Sequence, residues 1–381
     1  MKVLFIVQGE GRGHMTQALA MEQLLTEAGH EVTGILIGTS KRREVPGYFK
    51  AKTKAPLNSL VSPNFYYDYN SKAINLWKTG VFNLLMIPRF LAELWKIHRV
   101  VQDTKPEVIM NFYDLLGGYY FALFNPRAKR ISIAHQYLAA HEQFPFARDK
   151  GMQKVLFQLT NRLTSMNSHS RIALSFRDYP KHQSSIVVAP PLLRSELFDL
   201  EPHKGDYILA YVVNRGYARE IMDWHQKNKK IRIHCFWDNM EEEDGWSPWA
   251  GLTFHQIDDQ KFLNMMAGCM GYISTAGFES ICEAMYLGKP VMMVPVARQY
   301  EQACNALDGM KAGAGIWSNH FDMSKFLHFL STRKNDSSGF RSWLKLYRTV
   351  ILKEVESYTP HTKPRWIRKP SFIPRLAINN K

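Results

Sequence analysis

Lys2 to His14 read KVLFIVQGEGRGH. Lys2 to Val7 is an unbroken apolar run, as a parallel strand buried on both faces requires. Gly9 to Gly13 is a turn. Met15 to Ala28 then sets Leu19, Met21, Leu24 and Leu25 on one face of a helix. Gly29 stops that helix, and His30–Gly38 is a second strand. Strand, helix and strand in this order predict a βαβ unit at the start of the chain. The alternation continues with strands at Glu107–Phe112 and Arg130–Ala134, so the fold class is α/β with an open parallel sheet.

Around residues 186–206 the composition changes. A short strand, Ile186–Ala189, runs into Pro190-Pro191 and a polar stretch ending at Lys204-Gly205-Asp206. A fresh series follows, with strands predicted at Tyr207–Val213, Ile231–Phe236, Gly271–Ser274 and Pro290–Pro295. This pattern predicts two Rossmann-like halves: residues 1–190 and 206–340. A helix over 341–358 is expected to pack back on the first half, followed by a basic tail at 359–381. The length of 381 residues suits such a plan, at about 150 residues per domain. Hydrophobic residues make up 45% and charged residues 22%, which excludes collagen, coiled coil and wholesale disorder.

The first glycine turn excludes two nucleotide-binding classes. The dinucleotide fingerprint GxGxxG needs glycine where His14 stands. The acid expected after the second strand is also missing, because that strand runs into Ile37-Gly38-Thr39-Ser40. No GxxxxGK[ST] is present, so a P-loop is excluded. Glycines still let a backbone approach a ligand closely, and the following helix start offers N–H groups to an anion. Ligands of open α/β sheets bind in the crevice beyond the strands' carboxyl ends, where His14 lies.

A second constellation, residues 271–305, reads GYISTAGFESICEAMYLGKPVMMVPVARQYEQACN. A strand ends at Ser274, Thr275-Ala276-Gly277 is the turn, and Phe278–Leu287 is a helix. The helix start suits a phosphate, and a carboxylate inside it, Glu283, suits a ribose diol. This run resembles the donor-binding motif of the GT-B glycosyltransferases, of the UDP-glycosyltransferase and family 28 type, which includes the peptidoglycan N-acetylglucosaminyltransferases. Gly277, Phe278, Ser280, Glu283, Ala284, Gly288, Lys289, Pro290, Pro295, Glu301, Gln302, Asn305 and Ala306 match it in order. The N-terminal GEGRGH is similar to the family's acceptor-side loop.

The resemblance implies a GT-B fold, two Rossmann-like domains facing across a cleft. It implies a nucleotide-sugar donor, with Thr275, Ala276, Gly277 and Phe278 at the pyrophosphate, Glu283 on the ribose, and Glu301 and Gln302 on the sugar. His14 would deprotonate the acceptor hydroxyl, backed by Asp114, which follows the strand EVIMNF. In the peptidoglycan branch the equivalent histidine serves the acceptor phosphate, and both roles stay open here. Gly11, Arg12, Gly13 and His135 are assigned to the acceptor. Arg215, after the first strand of the second half, is assigned to the donor phosphates. No cofactor and no metal are implied. The acidic runs Glu241–Asp244 and Asp258-Asp259 read as solvated loops.

The charge balance, 49 Lys+Arg against 34 Asp+Glu or +15, calls for an anionic partner. Residues 72–99 carry Lys72, Lys78, Arg89, Lys96 and Arg99 among Trp77, Phe82, Leu91 and Trp95, and the tail adds Arg365, Trp366, Arg368, Lys369, Phe372 and Arg375. Bases beside large apolar residues mark interfacial helices, so both segments are read as facing an anionic membrane surface. No nucleic-acid-binding signature is present. Four separated cysteines suggest free thiols in a reducing compartment. With no leader and no apolar run of membrane length, the protein is placed in the cytoplasm, peripheral on the inner face of the plasma membrane. The expected activity is inverting transfer from a UDP-sugar to a hydroxyl of a lipid or lipid-linked acceptor. A nucleotide-sugar 2-epimerase of the same fold and a non-catalytic nucleotide-sugar-binding protein are the alternatives.

Overall fold

The computed structural model describes residues 1–39, 45–63, 83, 85–148, 151–180, 186–212, 215–239, 241–297, 299–333 and 337–357, with Arg215 described through its backbone alone. Its first half contains β1 (Lys2–Gln8), α1 (Arg12–Glu27), β2 (Glu31–Thr39), α2 (Gly47–Lys52), β3 (Leu57–Val61), α3 (Ile87–Thr104) and β4 (Val108–Phe112). Then come α4 (Leu115–Phe124), β5 (Lys129–Ala134), a 3-10 turn (His135–Ala140), α5 (Met152–Thr164), β6 (Ser170–Leu174) and β7 (Val187–Ala189). The strands form one parallel sheet in the order β3-β2-β1-β4-β5-β6-β7. Val3, Phe5 and Val7 of β1 pack into the core under α1, while Leu4 and Ile6 pack into the core under α3 and α4. This two-sided burial is the reason the run is apolar throughout.

The second half repeats the plan. It comprises β8 (Tyr207–Val212), α6 (Arg215–Lys227), β9 (Arg232–Trp237), β10 (Trp246–Trp249), β11 (Leu252–His255), α7 (Asp259–Gly268), β12 (Gly271–Ser274) and α8 (Phe278–Tyr286). It ends with β13 (Val291–Met293), α9 (Tyr300–Lys311), β14 (Gly315–Trp317) and α10 (Met323–Thr332). The sheet order is β10-β11-β9-β8-β12-β13-β14, parallel except for the β10–β11 hairpin. Two mostly parallel sheets with helices, joined by a short linker, are the expected α/β architecture. In each sheet the winding reverses once, between β1 and β4 and between β8 and β12. Those switch points open the ligand crevices.

Two further helices close the described chain, α11 (Ser338–Leu344) and α12 (Tyr347–Glu356). Both return to the first half. Trp343 Nε1 donates to the Ser175 carbonyl at 3.0 Å, Arg348 meets Glu27 at 2.8 Å, and Lys129 bonds the Glu354 carbonyl. The tail and most of residues 72–84 lie outside the described residues, including Lys72, Trp77, Lys78 and Phe82. Five strands were not legible in the sequence: β3, β6, β10, β11 and β14. The helix predicted from Met15 begins at Arg12.

Candidate functional site

The carboxyl ends of β1 and β12 point at each other across the two halves. Between them lies a cavity of about 320 Å³, lined among others by Gly11, Arg12, Gly13, His14, Gln17, His135 and Gln136 from the first half. Thr275, Gly277, Phe278, Glu279, Glu283, Glu301 and Gln302 line it from the second, with Arg194 from the linker. Most of the residues singled out in sequence therefore share one wall-to-wall site. Asp114 and Ala276 do not line it, and the Arg215 side chain lies outside the described residues.

His14 sits in the first turn of α1 and is 8% exposed. The turn before it is possible because the backbone passes very close to β2. Gly9 N donates to the Gly38 carbonyl at 2.8 Å, and a Cβ on Gly9 would stand 2.3 Å from that oxygen. Burial lowers the His14 pKa to about 4, against a smaller raising effect from its bond to Gln17. The ring is therefore neutral at ordinary pH. Tyr113 stacks on it with centroids 5.4 Å apart at 22°. Tyr113 holds φ +62, a left-handed conformation that costs a non-glycine residue roughly 1–3 kcal/mol.

The Asp114 carboxylate, expected to back His14, is bonded elsewhere in the structure. Asp114 is the N-cap of α4: its carboxylate accepts from the Leu116 N–H at 2.8 Å and the Gly117 N–H at 3.4 Å. Ser62 Oγ donates to both carboxylate oxygens, at 2.8 and 2.7 Å. An aspartate at a helix start is drawn to the free amides there. The partner of His14 Nδ1 is Gln17 Oε1, at 3.3 Å.

On the opposite wall, Gly277 caps α8 without a side-chain bond, so the first-turn amides face the cavity beside Thr275. Ala276 is turned inward, and its carbonyl accepts from Asn305 Nδ2 at 3.1 Å. Glu283 is 1% exposed and holds the Arg194 guanidinium bidentately, at 2.6 Å to Nε and 3.0 Å to NH2. Glu301 accepts from Gln136 Nε2 across the interface at 2.8 Å, and burial raises its pKa to about 7. Gln302 Oε1 accepts from the Val296 N–H at 2.8 Å and so fixes its own loop.

The wall from the first half is also tied across the cleft. His135 stacks on Phe278 with centroids 3.9 Å apart at 16°, and its Nδ1 lies 2.7 Å from the Leu174 carbonyl. Both residues thus join the two halves as well as lining the cavity. Arg12 lies over the Tyr48 ring at 5.6 Å and faces Asp259, 3.8 Å away. Three residues of the acidic runs are engaged with protein groups. Asp258 caps α7, Asp259 faces Arg12 and Arg194, and Asp244 pairs with Lys261 at 2.7 Å.

Sequence reasoning missed Gln17, Tyr113, Arg194 and Glu279, whereas Gln136 stood beside His135 as an acceptor-side candidate. Gln17 was reachable, since it lies three residues after His14 on one helix face. Glu279 stood unassigned inside the quoted run. Nothing in the linker sequence singles out Arg194.

The chain has known relatives. Residues 1–333 match the model of glycosyl transferase family 1. An uncharacterized glycosyltransferase of Methanosarcina acetivorans is 21% identical over 345 residues, which are 83% of this chain and 85% of the relative. The UDP-N-acetylglucosamine--N-acetylmuramyl-(pentapeptide) pyrophosphoryl-undecaprenol N-acetylglucosamine transferase of Lachnospira eligens is 23% identical over 356 residues, 88% of this chain and 91% of the relative. Among solved structures, the glycotransferase of kitacinnamycin superposes with a TM-score of 0.62 at 13% identity, covering 93% of this chain and 98% of its own. Two Rossmann-like sheets, facing switch points and a family match over most of the length lead to one conclusion: the chain is a GT-B glycosyltransferase that belongs to glycosyl transferase family 1.

Proposed function

We propose that this glycosyltransferase moves a sugar from a UDP-linked donor to a hydroxyl of a lipid-linked acceptor by one inverting displacement. The observation that carries the reading is the meeting of a buried, neutral His14 with the uncapped start of α8 in one cavity. The acceptor oxygen gives its proton to His14 and attacks the anomeric carbon. The bond from that carbon to the diphosphate breaks, and the leaving charge settles on the α8 amides and the Thr275 hydroxyl. Glu283 serves the ribose, Glu301 and Gln302 the donor sugar, and Arg215 the phosphates. Arg12, Gly11, Gly13 and His135 border the acceptor. The names of two relatives, which act with UDP-N-acetylglucosamine on a pyrophosphoryl-undecaprenol acceptor, support UDP and a polyprenyl-linked acceptor.

A membrane surface fits the outer face of the first half. Ile87, Leu91 and Trp95 form an apolar stripe on α3, 45%, 51% and 56% exposed, opposite the buried Phe90, Leu94 and Ile97. Neighbouring α4 and α5 add exposed Leu123, Met152, Val155 and Leu159. Among the described residues no helix is long and apolar enough to cross a membrane.

The test is a thermal-shift and turnover screen. UDP at a hundred times its dissociation constant should add about 2.7 kcal/mol of stability. Incubation with UDP-N-acetylglucosamine and a polyprenyl-diphosphate-linked sugar should yield UDP and an extended lipid product. A shift with GDP- or dTDP-sugars but not with UDP-sugars would overturn the donor. An altered sugar without a conjugate would point to the epimerase.

A further inference from the structure

His14 has a partner that the family resemblance did not provide. Its Nδ1 lies 3.3 Å from Gln17 Oε1, and Gln17 Nε2 donates to Glu279 Oε1 at 2.5 Å. Gln17 is 2% exposed, so its amide has no solvent to turn to. Glu279 belongs to α8 of the other half, and its side chain crosses the first turn of α1: a Cβ on Gly13 would stand 3.3 Å from Glu279 Cγ.

With Gln17 Nε2 placed on Glu279 Oε1, the chemistry of the three groups leaves one arrangement. A carboxyl oxygen that bears no proton only accepts hydrogen bonds, whereas an amide has a donor end and an acceptor end. Glu279 Oε1 therefore takes the NH2 end of Gln17, and the carbonyl end faces His14. A carbonyl oxygen cannot donate, so His14 Nδ1 must carry the ring proton. The neutral ring then keeps the lone pair on Nε2. The arrangement holds in both protonation states of Glu279, because its other oxygen, Oε2, has no partner among the described residues and is free to take the proton.

We propose that Gln17 and Glu279 are positioning residues that fix the tautomer of His14, leaving Nε2 as the proton acceptor only when the two halves meet. The proposal rests on the reading of His14 as the base for its catalytic meaning, but the tautomer itself is measurable without turnover. Glu279, from the sugar-donor half, would thereby complete a base carried by the acceptor half. Cleft closure and base activation would be one event.

The experiment uses the full chain with 15N-labelled histidine. Long-range 1H–15N spectra show which ring nitrogen bears the proton, and the His14 signals are identified by their loss in His14→Ala. Wild type should show His14 protonated at Nδ1 and bare at Nε2. Gln17→Met and Glu279→Met keep the side-chain volume and remove the polarity, so each should give a mixture of tautomers. Each should also lower kcat for UDP release from UDP-N-acetylglucosamine by about tenfold, the worth of one buried hydrogen bond, with the donor KM unchanged. Glu279→Gln keeps a carbonyl acceptor and should restore most of both. A wild-type His14 protonated at Nε2, or spectra unchanged in both Met variants, would overturn the relay. Wild-type turnover in His14→Ala would instead overturn the base, leaving the spectral result to stand or fall alone.

Discussion

Burial, rather than a neighbouring charge, holds His14 neutral. If it is the base, His14→Ala should lower turnover by about 10²–10⁴-fold, the usual worth of a general base. Donor KM should hardly move, and steady-state kinetics with both substrates varied checks this. Because the folded ring titrates near pH 4, kcat/KM of the wild type should hold through mildly acid pH and fall only as pH approaches about 4. Glu279 runs the other way. Burial raises its carboxyl from the ordinary 4.5 to about 8, so the native state holds a proton that the unfolded chain has lost across that window. Its contribution is fully present below the unfolded value and is lost as pH rises through about 8. Glu279→Gln has no such titration, so calorimetry should show its melting temperature gaining on wild type from about pH 4.5 to about pH 8. A constant offset between the two would refute the shift.

At the scale of the element, α4 and α3 make opposite demands on their residues. Asp114 caps α4 and touches Ser62, and a Cβ on Gly38 would stand 2.3 Å from Asp114 Oδ2. Asp114→Asn can still accept from the first-turn amides and should keep turnover. Asp114→Ala should lose about 1 kcal/mol or more of stability, the usual worth of an N-cap, without moving the pH profile. A tenfold fall in kcat for Asp114→Asn would restore it to the catalytic group. For α3 the exposed stripe is the test. Ile87→Glu with Leu91→Glu should leave stability within about 0.5 kcal/mol, as exposed substitutions do. The same pair should abolish co-sedimentation with anionic vesicles at low salt. Undiminished binding would assign the membrane contact elsewhere.

Across the whole molecule, charged and aromatic contacts hold the halves in register. His135–Phe278, Gln136–Glu301, Gln17–Glu279 and Tyr179–Asp308 all cross the cleft, and Arg194 reaches from the linker to Glu283. Glu283 is buried, so removing only its partner strands a charge. Arg194→Met should therefore destabilise the protein by about 3–5 kcal/mol, whereas Arg194→Met with Glu283→Leu should recover much of that loss. Thermal melts of the two variants check the ordering. Equal losses would mean that the pair contributes through packing alone.

The sequence by itself determined the α/β class, the two βα series and the two glycine turns. Each of these rests on a short local pattern: an apolar run, a helical period, a glycine where the chain bends. β3 and β10 escaped because LNSLV and WSPW alternate poorly, being edge strands with half-solvated faces. The site's wiring escaped for a different reason. Asp114 stood in the right place after its strand, yet the helix amides beside it claimed the carboxylate. Glu283 was legible as a cleft residue, but its partner Arg194 lies 89 positions away, and Gln17 and Glu279 lie 262 apart. Which side chains meet across a cleft depends on how two rigid sheets sit against each other. That packing is a property of the whole surface, and no local period encodes it.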